Sequence, residues 1–212
     1  MTDWVTISSF ATAGGTLVLA VATFSSVRSG NRAARTAERA FQARLRPVLV
    51  PSRLQDPPEK IMWVDRHWTK IPGGRATVEF IDGIMYFALS LRNVGSGIAV
   101  LHGWHPTPDL PRGATAHADP DEFRMQTRDM YVPPGDTSFW QGAIREPDDP
   151  DYDAMRQAIE AREGFTIDLL YGDHEGGQRT VTRFAIVPRE GDDIDWMPTA
   201  SRHWNLDRDD PR

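Results

Sequence analysis

The chain has 212 residues, 24 Lys+Arg against 30 Asp+Glu, and a net charge of −6. That length fits one domain with an appendage. With no cysteine, disulfides, thiolate metal sites and cysteine nucleophiles are excluded; the acidic total speaks against a general nucleic-acid binder.

The average hides a split. Residues 1–53 carry seven arginines and two acids, a net +5, and residues 54–212 carry a net −11. Such asymmetry marks two parts with different surroundings. From Trp4 to Val27 the chain holds 24 residues without a charge. As a helix this run is about 36 Å long, against a hydrocarbon core of about 30 Å. It reads as a transmembrane helix over residues 1–27. Threonines and serines interrupt it, and their hydroxyls can bond back to the helix's own carbonyls. A cleaved signal peptide would need a basic leader, whereas the N-terminal flank holds Asp3 and no Lys or Arg. The basic residues follow the run. The positive-inside rule then places the N-terminus outside and the rest in the cytoplasm, as a single-pass inner-membrane protein. Ala11 and Gly15 put two small residues on one helix face, a packing signal that implies a homo-oligomer. The plainer alternative is that small residues are common in such helices.

Residues 28–46 read as an Arg/Ala-rich juxtamembrane helix. Arg28, Arg32, Arg35 and Arg39 are spaced 4, 3, 4, which gathers them into one stripe at about 100° per residue. The stripe suits anionic phospholipid headgroups; alternatively it stays solvated and only fixes topology. Gly30 and Asn31 mark a point where the helix could break, and Pro47 ends it.

Residues 47–190 change to a period of two. Val48–Val50 is a short strand. Arg75–Ile81 leads through Asp82-Gly83, a hairpin signal, into Ile84–Arg92. There Met85, Phe87, Leu89 and Leu91 share one face, and Tyr86, Ala88, Ser90 and Arg92 the other, as in a half-buried antiparallel strand. Asn93–Gly97 is a turn and Ile98–Trp104 the next strand. Residues 105–121 read as a long loop. Thr137–Ile144 is a strand, 151–163 a short helix, and Phe165–Tyr171 pairs with Arg179–Val187. Residues 191–212 form an acidic tail in which Trp196 and Trp204 dock onto the domain. The sum is a mainly β protein, an antiparallel β-sandwich with one short helix.

The Asn93–Ala99 stretch, N-x-G-x-G-x-A, looks like a turn of immunoglobulin-like bacterial modules. Together with the N-terminal span, Arg46-Pro47, the Tyr171, Asp173, Gly176 hairpin and the terminal Arg202–Asp207, it resembles small uncharacterised bacterial single-pass membrane proteins with a soluble immunoglobulin-like β-sandwich. The resemblance implies that architecture and carries over no catalytic residue.

Asp149, Asp151, Asp153 and Glu160 have the 1, 3, 5, 12 spacing of a calcium loop. The glycine such a loop needs falls at Ala154, and the plainer reading is acids at the start of a helix. His102 and His105, with Asp109 or His117, are the candidates for a zinc site; the plainer reading is two histidines at a sheet edge. Nucleophile elbows, P-loops and dinucleotide fingerprints are missing from the sequence. No cofactor and no catalytic residue is therefore assigned. The expected function is a membrane-anchored cytoplasmic module that binds or senses a protein or small ligand. The alternatives are a membrane-tethered metal-assisted hydrolase and a membrane-perturbing effector with an oligomerising span.

Overall fold

The computed structural model describes residues 4–111, 116–189 and 196–208, with side chains described from residue 13 onward apart from Ala43. The chain divides into two compact units, Met1–Ala43 and Arg44–Arg212.

The first unit is built on one helix, α1 (Trp4–Arg44), which continues through Gly30 and Asn31 without a break. Thr23 Oγ1 donates to the Leu19 carbonyl at 2.8 Å and Ser25 Oγ to that of Ala22 at 3.0 Å, so these hydroxyls are satisfied within the helix. Leu17, Val18, Leu19, Val21, Phe24 and Val27 are 57 to 69% exposed. At about 100° per residue they surround the helix instead of forming one stripe. Among the described residues, no helix is long and apolar enough to cross a membrane. The span expected over 1–27 thus finds no support there. The physical reason is dilution: Thr16, Thr23, Ser25 and Ser26 interrupt the apolar run and charge begins at Arg28.

The second unit is an antiparallel β-sandwich. Its first sheet is organised on β5 (Ile84–Asn93). One edge of β5 pairs along its length with β8 (Thr137–Ile144). The other edge pairs with β4 (Ala76–Ile81) and then with β1 (Leu49–Pro51). The second sheet runs in the order β11 (Trp196–Asn205), β10 (Arg179–Pro188), β9 (Phe165–Asp173), β6 (Ala99–Thr107), β7 (Arg124–Val132). One residue pair, Trp196 with Ala76, connects the sheets through β11 and β4. The core between them takes Phe87, Leu89 and Leu91 from β5, Trp104 from β6, Trp140 from β8, Phe165, Ile167 and Leu169 from β9, and Phe184 from β10. Asp82 and Gly83 both have positive φ, as the tight turn between β4 and β5 requires.

Two layers missed in the sequence change the burial. A hairpin of β2 (Glu59–Met62) and β3 (Trp68–Ile71) lies over the outer face of β5, packing Ile61, Trp63 and Ile71 on Tyr86 and Ala88. The strand read as half-buried is therefore buried on both faces, with Tyr86, Ala88 and Ser90 at most 4% exposed. On the second sheet's outer face, Phe123, Leu170, Val181 and Trp204 form another cluster. Trp196 and Trp204 belong to a full edge-to-edge strand, β11, rather than to a docked tail; residues 190–195 and 209–212 of the expected tail lie outside the described residues. The short helix is α2 (Tyr152–Glu160), which buries Tyr152, Met155 and Ala158.

Within the second unit, the Arg46-Pro47, Asn93–Ala99, Tyr171 and Asn205 parts of the resemblance meet at one end of the sandwich. Ser96 and Gly97 donate their backbone amides to the Arg46 carbonyl. A Cβ at Gly97 would lie 1.7 Å from the Leu45 oxygen, so only glycine lets the two backbones approach this closely. Asn93 Oδ1 accepts from the Val48 amide and Asn93 Nδ2 donates to the Gly97 and Val132 carbonyls. Tyr171 Oη accepts from the Leu49 amide, and Arg46 donates to Asn205.

Candidate binding site at the open seam

One side of the sandwich is open between two edge strands. Among the described residues β7 pairs with β6 alone and β8 with β5 alone, and the 133–136 turn connects them without a backbone ladder between the two strands. Asn93 holds that turn: its amide donates to Asp136 and its carbonyl accepts from Gly135. Away from the turn the strands are stitched by side chains. Gln126 Nε2 donates to the Gln141 carbonyl at 3.0 Å, and Arg128 Nη2 donates to Gln141 Oε1 at 3.3 Å. The Arg128 guanidinium also lies over the Phe139 ring, 5.8 Å from its centroid.

The direction of the Gln141 carbonyl reveals the state of the whole edge. It points at β7, away from β5, and in an antiparallel strand the residues two before and two after point the same way. The backbone groups of Phe139, Gln141 and Ala143 therefore line the open edge of β8. On the opposite side, β7 leaves its ladder between Met125 and Met130, where Gly103 and Leu101 of β6 are the flanking partners.

Between these edges is a cleft of about 140 Å³. Trp104 forms its floor and Trp63 one wall, with Met125, Gln126, Gln141 and Arg145 around them. A Cβ at Gly142 would meet the Trp140 ring at 2.7 Å and the Trp104 ring at 3.0 Å, so the glycine lets two indoles pack beneath the cleft. Trp63 Nε1 donates to the Gly142 carbonyl at 3.1 Å and fixes the hairpin wall.

Most of the charge here is spent internally. Arg124 stacks on Trp104 at 5.2 Å and binds both Asp149 and Asp151. Arg145 reaches Asp65 at 3.2 Å, and Asp65 accepts from Tyr86 Oη at 2.8 Å. Burial pushes the Tyr86 phenol up to about 12, and its bond to the Asp65 carboxylate adds to the rise. Burial opposes ionisation of Asp65, but the bonds from Tyr86, the His67 amide and Arg145 outweigh it and hold the carboxyl below its ordinary range. Two polar atoms at the seam are buried without a hydrogen-bond partner, Trp140 Nε1 beneath the cleft and the Oε1 of Gln126. The orientation of the Gln126 amide is fixed, because its nitrogen must face the Gln141 carbonyl.

The residues singled out in the sequence lie elsewhere. Asp149 and Asp151 of the calcium-like series both face Arg124. Asp151 stands at the N-cap of α2 but makes no side-chain cap bond, so the ion pair has replaced the expected capping role. His105 lies in register with Asp168, whose two oxygens are both held by Arg183 at 2.7 Å. His102 packs beside Gly172, and burial together with Arg179 depresses its pKa. Asp109 is exposed beyond the end of β6. No group of three His, Cys, Asp or Glu that could hold a metal ion occurs among the described residues. Arg28, Arg32, Arg35 and Arg39 are exposed on α1, the first three beside Phe24 and Asn31. Gly15 lies within α1, and the side chain of Ala11 lies outside the described residues. No protein-family model, curated protein or solved structure matches this chain.

Proposed function

We propose that the chain is a membrane-anchored binding module whose sandwich takes an extended segment of a partner protein along the β7–β8 seam. The observation that carries this reading is the unpaired β8 edge beside a buried, partnerless acceptor, Gln126 Oε1. A strand laid along β8 supplies the missing backbone partners, as in strand-addition complexes. The cleft's size favours a peptide over a cofactor. About 140 Å³ holds one side chain, well below the roughly 300 Å³ at which small-molecule pockets begin.

The anchoring part rests on α1. Its 24-residue uncharged run has apolar side chains all round, which suits an all-round apolar environment better than an interfacial groove. The arginine stripe follows it, so the reading keeps the N-terminus outside, the sandwich cytoplasmic and the stripe on anionic headgroups. Ala11 and Gly15 would pair copies of the helix and cover its hydroxyls. The immunoglobulin-like and membrane-protein parts of the resemblance belong to the same reading, supported by the way its motifs meet around Arg46.

A photo-crosslinking residue placed at Met125, 70% exposed on the cleft rim, tests the seam in cells of the source organism. The expected result is one dominant adduct, lost when Ala143→Pro alters the β8 edge and absent from a probe at Glu175. Identical products from both probes would end the proposal.

A further inference from the structure

The outward face of the β2–β3 hairpin carries four residues in two cross-strand pairs: Lys60 with Lys70, and Met62 with Trp68. All four are exposed, Met62 and Trp68 at 62 and 65%. Three of them, Lys60, Met62 and Trp68, line a shallow apolar depression together with Ile61. These are the chain's only two lysines, set within a part of the sequence that carries a net −11. Like charges directly opposite on a sheet repel and destabilise it. No acid shares this face: Glu59 is paired with Ile71 on the side that packs inward, and Asp65 is committed to Tyr86 and Arg145.

From this charge arrangement we infer that the hairpin face is a second membrane contact, which lays Trp68 and Met62 into the headgroup region of an anionic bilayer with Lys60 and Lys70 on the phosphates. Tryptophan flanked by lysine is the chemistry of the lipid–water interface. Each lysine gains from the negative surface potential, and the apolar pair gains from leaving water. The face is too small for a stable protein interface, which needs about 800 Å² per partner. Two cations make too short a track for nucleic acid. A weak lipid contact suffices where another anchor already holds the chain at the bilayer, since two weak signals combine. In that respect the inference rests on the reading of α1 as an anchor.

The absence of cysteine makes the test clean. The full chain carrying Met62→Cys is labelled with a nitroxide and mixed with phosphatidylcholine vesicles, with or without about a third phosphatidylglycerol. A second label at Glu175, on the β9–β10 turn, is the reference. The inference predicts that oxygen reaches the residue-62 label several-fold better than a water-soluble relaxant does, in anionic vesicles only. Lys60→Glu with Lys70→Glu should abolish that preference, while Lys60→Arg with Lys70→Arg retains it. Flotation separates the two membrane claims. A chain that floats on both vesicle types while the residue-62 label stays as aqueous as the residue-175 label overturns the hairpin contact alone. Flotation on anionic vesicles only, lost in the double glutamate variant, supports the hairpin and overturns the anchor. No flotation on either overturns both. Oxygen preference at residue 62 that survives charge reversal also overturns the inference.

Discussion

The β9–β10–β11 side of the second sheet and the β7–β8 seam between the sheets handle polar groups differently. On the β9–β10–β11 side, Asp168 is 1% exposed and Arg183 7%, yet each meets the other through two bonds of 2.7 Å. Trp204 covers the pair, with Arg183 4.9 Å from its ring centroid and Arg202 at 5.2 Å on the same ring. At the β7–β8 seam the backbone edge is unpaired, and a buried amide oxygen has no partner. One side meets the hydrogen bonds of its buried charge pair within the chain, although Thr166 Oγ1 and Arg202 Nε there are buried without a partner. The other holds capacity in reserve, which is what recognition of a second molecule requires.

The contrast is broken most forcefully at the closed side. Asp168→Ala takes the carboxylate from a buried guanidinium, which keeps its bond to the Ala116 carbonyl, and should cost about 3–5 kcal/mol, measured by denaturant unfolding. A loss under about 1 kcal/mol would mean that the pair is not buried as described.

Tyr86→Phe acts on the hairpin that walls the cleft. Removing a hydrogen bond to a carboxylate should cost about 1–3 kcal/mol. Its pH signature follows from the signs. The Tyr86 phenol is raised to about 12, so its contribution is complete below pH ~10 and is lost as pH rises toward 12. Asp65 is depressed, so its contribution is present above pH ~4 and is lost as pH falls through the folded value. Stability curves of the variant should be flatter on the alkaline limb, and an unchanged limb would remove Tyr86 from the account.

The smallest effect belongs to the seam. Gln126→Leu removes two hydrogen bonds but also the orphan acceptor, and should shift stability by no more than about 0.5 kcal/mol. In the crosslinking assay the same change should reduce the Met125 adduct, which sharpens the distinction between holding the fold and holding a partner.

How much of this could be read from residues alone follows the same division. β5, β8 and the β9–β10 pair were readable because period-two patterns and an Asp-Gly turn announce them locally. The expected half-burial of β5 failed because a second layer, Glu59–Ile71, covers its outer face. That layer turns Lys60, Met62, Trp68 and Lys70 outward and so hides its own pattern. β7 was missed because Gln126–Asp129 interrupt its alternation where the strand leaves its ladder. β11 reads as a tail because it follows the acidic run from Gly191, although the strand pairs with β10 along its length except at a bulge at Ser201. The acids before α2 read as helix-start residues, but their partner, Arg124, comes from β7. The seam itself had no sequence signature. It is defined by which two strands end the sheet order, and topology alone decides that.

Amide hydrogen exchange on the intact chain tests the central claim most directly. The amides of Phe139 and Ala143 should exchange at least about a hundredfold faster than those of Leu89 and Leu169, because an open edge needs no global unfolding. Equal, slow exchange at all four positions would show that the edge is already paired and would contradict the account.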